Sequence, residues 1–210
     1  MSNTLTPENL AENGYELKDK LIHSELLPFV QTYLRKKNSS TIVYFIINLL
    51  FFVNILWLIV NQFFLPASLG FLEMIGYLSY GVLLAFLLIP LHEYLHLLAY
   101  KYFGAKETSL AADWKKFYFM AIAHKFVATQ KAFIIIAICP FVVISSLLIV
   151  ASLVVAMPYQ LTFASCLLMH TAMCSGDFGL LSYCTHTNNK SLVTYDDAVE
   201  KISYFYIKKG

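Results

Sequence analysis

The chain has 210 residues, of which 59% are hydrophobic and 13% charged, with a formal net charge of +2 at pH 7. Charged residues make up about a quarter of an ordinary soluble domain, so this chain carries about half the usual complement. So small a balance, without any Arg-rich or aromatic-interleaved basic motif, excludes nucleic acid as a partner. The charges are also segregated. From Thr41 to Tyr100 the only ionised side chains expected are Glu73 and Glu93, and from Ala132 to Asn189 the only one is Asp177. Blocks so depleted describe a polytopic membrane protein. Cys139, Cys166, Cys174 and Cys184 lie in or beside apolar stretches and form no CxxC. They read as packing thiols, not as a disulfide frame or zinc knuckle.

Residues 1–40 form a polar N-terminal segment in which Asn9–Leu34 reads as a weakly amphipathic helix resting on the membrane surface. No cleavable leader is evident, so the first apolar run serves as the targeting signal. Four spans are expected, at about 41–63, 72–103, 132–157 and 159–184, each near the roughly 20 residues that a bilayer core requires. The second is too long for one straight span, and Pro90 offers a place to kink; Pro140 interrupts the third. Between spans two and three, "ETSLAA" and "KFYFMAIAHKFVA" have the content of two paired strands. The tail, 185–210, reads as strand, acidic turn, strand. The fold class is therefore an all-α polytopic membrane protein of four spans, 41–184, with a small β-hairpin-like insertion and a soluble segment at each end.

Basic residues set the topology. Arg35, Lys36 and Lys37 precede the first span, Lys101, Lys106, Lys115, Lys116, Lys125 and Lys131 lie between the second and third, and Lys190, Lys201, Lys208 and Lys209 follow the fourth. The connections at Leu65–Gly70 and Pro158 carry none. The positive-inside rule then places both termini and the middle loop in the cytoplasm.

The second span ends on "IPLHEYLHLLAY", two histidines and a glutamate in five residues. On a helix His92 and His96 share one face, about 6 Å apart along the axis, so both imidazoles reach one metal ion. Glu93, roughly 100° further round, can accept a proton from water without ligating. This is the HExxH arrangement of zinc peptidases. Inside a span an ionised residue costs roughly 2.5–3.5 kcal/mol, and a dication compensates such a cluster. A catalytic zinc takes three protein ligands and keeps one position open. Asp177, in "HTAMCSGDFG", is the expected third ligand, because it lies about 10 Å inside the cytoplasmic end of its span and the histidine pair about 10–16 Å inside theirs. His170 is the alternative third ligand, or a residue behind the ligands; seven positions before Asp177, it cannot share an ion with it on an unbroken helix, although Ser175 and Gly176 could loosen one. His23, His124 and His186 fall in predicted loops or surface segments and carry no site.

These motifs in this order, HEYLH, a lysine-bearing strand-like segment, "KAFIIIAICPFVV", "MHTAMCSGD" and the "YDD…YFY" tail, resemble a family of small bacterial membrane zincin peptidases, itself similar to the site-2 proteases. The resemblance covers about Leu72 to Tyr183 and the tail. It implies Zn2+ held by His92, His96 and Asp177, Glu93 as general base, a bacterial cytoplasmic membrane, and a membrane protein or peptide as substrate. It also implies a strand before span three that pairs with an unwound substrate segment. The setting "CSGDFG" departs from the Asn-x-x-Pro and Leu-Asp-Gly surroundings usual among site-2 proteases. A metal carrier or sensor without catalysis is the other reading of the same residues, and haem held between histidines is a third.

Overall fold

A computed structural model describes residues 5–64, 68–113 and 118–209. Part of the lysine-free connection, 65–67, and Lys115 and Lys116 lie outside the described residues. In chain order the elements are β1 (Tyr15–Ile22), α1 (Leu26–Leu34), α2 (Ser39–Gln62), α3 (Phe71–Leu87), α4 (Ile89–Tyr102), β2 (Thr108–Asp113), β3 (Tyr118–Ala123), β4 (Ala128–Thr129), α5 (Gln130–Val154), α6 (Met157–Met173), α7 (Ser175–Thr187), β5 (Val193–Asp197) and β6 (Ile202–Lys208).

Among the described residues three helices are long and apolar enough to cross a membrane: Ser39–Gln62, Phe71–Tyr102 and Gln130–Val154. Along α2, Leu49, Leu50 and Trp57 are each 60% exposed, a run of apolar surface that lipid covers and water would not tolerate. The second of these helices is interrupted at Leu88, between α3 and α4. Pro90 sits in the first turn of α4, where its missing N–H costs nothing. The stretch expected as a fourth span is divided into α6 and α7 at Cys174, whose amide bonds back to the carbonyls of His170 and Thr171.

Contacts divide the chain into two compact units. The first comprises residues 1–41, 93–140 and 176–210. Its four-stranded antiparallel sheet has the order β1-β6-β5-β4, and β2 and β3 form a separate antiparallel hairpin in which Ser109 pairs with Ile122 and Ala111 with Met120. The expected hairpin and the strand–turn–strand tail are thus present, but the N-terminal segment is not the single helix expected over Asn9–Leu34. Tyr15–Ile22 is a strand paired with β6, and only Leu26–Leu34 is α-helical. Leu21 is buried while Leu17 and Ile22 are exposed, so the strand gains its stability from ladder bonds to β6 as much as from an apolar face. Phe29, Tyr33, Tyr183 and Phe205 interlock their rings at centroid distances of 4.7–6.3 Å, fixing α1 and α7 against the sheet. Gly179 allows that approach, since a Cβ there would lie 2.7 Å from Val30.

The second unit, residues 42–92 and 141–175, is helical. Its centre is the packing of α3 on α6. Gly81 lies against Ser165 and the Thr162 carbonyl so closely that no Cβ fits. Two hydroxyls bridge the pair, Thr162 to the Tyr77 carbonyl and Ser165 to the Leu78 carbonyl, both at 2.9 Å. Small residues that let backbones approach, with hydroxyls donating across the gap, are how helices associate in lipid, where apolar burial alone gives little.

Candidate metal centre

The HExxH segment lies within α4, so His92 and His96 stand one turn apart on one continuous helix and Glu93 follows His92 around it. His96 is buried, and its ring is held from behind: Nδ1 donates a hydrogen bond of 2.9 Å to the Ile136 carbonyl. That carbonyl is available because of Pro140, four residues later in α5. In an unbroken helix the amide of residue 140 would bond to the Ile136 oxygen; proline has no N–H, and its ring pushes the carbonyl aside. The orphaned acceptor is 2% exposed at Ile136, and His96 satisfies it. A proline that reads as a blemish in an apolar helix thus sets the tautomer of an imidazole.

With its proton committed to Nδ1, a neutral His96 presents a lone pair at Nε2. Facing it at 3.2 Å is Asp177 Oδ1. Two acceptors face each other there, which is stable only with a cation between them, either a proton or a metal. The separation is longer than the roughly 2.7–2.9 Å of a good N⁺–H···O⁻ bond. It is close to the edge of about 3.3–3.5 Å that two ligands at about 2.0–2.2 Å subtend around a tetrahedral ion. Asp177 stands in the first turn of α7, where a carboxylate suits the helix dipole. Its side chain is 16% exposed, against 10% for that of His96, so the carboxylate side of the pair is the more open. Glu93 is half-buried.

His170 goes to His92. Its Nε2 lies 3.3 Å from His92 Nδ1, and the rings meet edge to face at 5.5 Å. Cys174, one turn beyond His170, brings its thiol within 3.9 Å of the same Nε2. Cys174, expected as a packing thiol, thus stands beside an imidazole, and the His–x3–Cys spacing of "HTAMC" is the signal for it. The Ile136 carbonyl was missed as well; the signal for it is a proline four residues on.

The other histidines lie apart from this cluster. His23 is buried and 3.3 Å from the Ser203 hydroxyl; burial, with Lys201 nearby, holds its pKa below the usual imidazole value. His124 Nδ1 accepts the Ala198 amide at 3.1 Å, next to Asp197. His186 packs against the ring of Tyr33.

A helix carrying His-Glu-x-x-His, with a carboxylate placed on its second histidine, is a donor set of the metallopeptidase kind. Residues 85–192 match the profile of a protein family described as "Putative zincin peptidase", and the chain belongs to that family. Zinc is the metal the family implies, and the His, Cys and Asp groups found together here are ligands that suit it. No curated protein and no solved structure matches the chain significantly.

Proposed function

We propose that the protein is a membrane-embedded zinc peptidase of the site-2 protease kind, with His92, His96 and Asp177 as ligands and Glu93 as general base. The observation that carries this reading is the facing pair, His96 Nε2 and Asp177 Oδ1 at 3.2 Å, with the far side of the imidazole tied to Ile136. His92 stands one turn from His96 on α4 and completes the set. Bound there, zinc supplies Lewis acidity toward a peptide carbonyl and lowers the pKa of water toward neutrality. Glu93 takes the proton of the attacking water and delivers it to the departing amine. Asp177 and His96 hold their positions through the helix start at Ser175 and the Ile136 carbonyl, so neither must be reorganised at the moment of reaction.

The sheet supports four crossings with both soluble ends on the cytoplasmic face. β1, β4, β5 and β6 share one ladder system, and hydrogen-bonded strands lie on one side of a bilayer. Between β1 and β4 run α2 and the α3–α4 pair; between β4 and β5 run α5 and the α6–α7 pair. An even number of crossings in each interval is in keeping with α6 and α7 together forming the fourth. The lysines cluster in these same sheet-bearing segments. The substrate is a membrane protein or membrane-bound peptide whose helix unwinds near the site, since peptide bonds in a helix are shielded by their own hydrogen bonds. β2 lies at an edge of its sheet, with Leu110 exposed, and offers a ladder to such an unwound segment.

The test is Glu93→Gln, compared with wild type by quantitative proteomics of the host membrane and by zinc content of the purified chain. The expected result is loss of cleavage products with zinc retained. Undiminished cleavage by the variant refutes the peptidase reading. Unchanged membrane proteomes with and without wild type, zinc being bound in both purified proteins, identify a carrier or sensor instead.

A further inference from the structure

We infer that His92, His170 and Cys174 form a second metal position, one that takes a soft cation such as Zn2+ or Cd2+ through a thiolate. Apart from His92, it uses residues that the peptidase reading leaves idle. His170 and Cys174 stand at i and i+4 on one face at the end of α6, the same spacing that makes His92 and His96 a pair. One ligand atom from each of His92, His170 and Cys174 lies within 4.8 Å of the other two.

The individual separations suit an ion. Around a tetrahedral zinc, two nitrogens at about 2.0–2.1 Å stand about 3.3–3.4 Å apart, and a nitrogen and a sulfur at about 2.3 Å stand about 3.5–3.6 Å apart. The structure has 3.3 Å between His92 Nδ1 and His170 Nε2, and 3.9 Å between His170 Nε2 and Cys174 Sγ. The side from His170 to Cys174 exceeds that of a zinc site by a few tenths of an ångström, and the third side, from His92 to Cys174, lies within 4.8 Å. His170 is 3% exposed and Cys174 1%. A sulfur with two imidazoles in a dry setting selects a soft or borderline ion over Mg2+ or Ca2+, which need a cage of oxygens. Binding releases one proton, from the thiol.

The position has a consequence for the catalytic one proposed above, and only this consequence rests on the peptidase reading. A neutral imidazole has a single lone pair. When His92 ligates through Nδ1 beside His170, its other nitrogen carries the proton and cannot also ligate beside His96. An ion in the thiolate position therefore takes His92 from catalysis, and excess soft metal inhibits the enzyme.

The experiment uses the full chain in detergent, stripped by a chelator and reloaded with Co2+ as a spectroscopic probe. The wild type is expected to show a thiolate-to-cobalt charge-transfer band in the near ultraviolet. Asp177→Asn keeps that band, Cys174→Ser loses it, and the affinity for Cd2+ falls about tenfold or more in Cys174→Ser. Zinc-edge X-ray absorption of the zinc-saturated wild type is expected to show a sulfur at about 2.3 Å, a measurement that needs no variant to fold. Absence of sulfur from the zinc shell, or a cobalt band unchanged in Cys174→Ser, overturns the inference. Failure of the peptidase reading is seen separately, as cleavage by Glu93→Gln, and leaves the cobalt band where it is.

Discussion

Pro140→Ala is expected to leave the fold as stable or slightly more so and to make the metal site weaker. The substitution restores an amide four residues after Ile136, able to claim the carbonyl that now accepts His96 Nδ1 at 2.9 Å. Removing proline from a helix interior gains about 3 kcal/mol in hydrogen bonding and relieved clash. Pro140 is fully buried, and deleting two buried methylenes costs about 1.6 kcal/mol. The buried His96 N–H gives up its acceptor at a cost of about 1 kcal/mol, so the metal-free protein should gain no more than about 1 kcal/mol. His96 meanwhile loses the partner that fixes its ring and tautomer, and loss of such a partner typically weakens metal binding about 10- to 100-fold. Thermal unfolding of the stripped protein in detergent measures the first effect, and zinc competition against a chromophoric chelator the second. A variant at least as stable as wild type that binds zinc as tightly would refute the claim that the Ile136 carbonyl positions His96. A destabilised one would refute the accounting for the proline.

Two other outcomes test the fold. Gly81→Val drives a branched side chain into Ser165 and the Thr162 carbonyl, so α3 and α6 must separate and lose both hydroxyl bridges. The expected cost is about 3 kcal/mol or more, from overpacking and two lost hydrogen bonds, read as a lowered melting temperature in detergent. Asp196 supplies a pH signature: burial pushes its carboxyl up to about 6 despite the hydrogen bond donated by Ser203. The folded state then holds the proton more tightly than the unfolded chain, whose carboxyl titrates near 3.8. This contribution is complete below about pH 4, is lost as pH rises to about 6, and is flat beyond. The span is about 3 kcal/mol at most, reduced by solvent on the partly open flank. Asp196→Asn is expected to abolish this part of the pH dependence of melting, and an unchanged slope would remove Asp196 as its source.

The His-Glu-x-x-His segment was legible as one helix face because its information is local. His92, Glu93 and His96 sit within one turn and a half of a single helix, and period alone puts the histidines on one face. The Tyr118–Ala123 strand and the Val193–Lys208 strands were legible for the same reason, since aromatic and β-branched residues cluster there, and in the tail an acidic turn lies between the two strands. The Tyr15–Ile22 strand was not. Its sequence, YELKDKLI, alternates weakly and is rich in helix formers, and the partner that makes it a strand lies at Ile202–Lys208, far beyond any window of local reading. Pairing of His96 with Asp177 was inferable from depth in the bilayer. The roles of Ile136 and Cys174 were not inferred, because one is a backbone atom whose freedom depends on a distant residue type and the other looked like any buried thiol. Ser175 and Gly176 were correctly singled out as a weak point, and the helix breaks beside them at Cys174.

The ladder between β1 and β6 has a consequence for biosynthesis. A chain made from its N-terminus exposes Tyr15–Ile22 well before Ile202–Lys208, the strand that pairs with it, leaves the ribosome. Through that wait Glu16, Lys18, Asp19 and Lys20 guard the unpaired edge, as charges do on strands that must not find the wrong neighbour. A later strand thus clips an earlier one into place, and deletion of Ile202–Lys208 should leave the helices formed but the sheet unfinished.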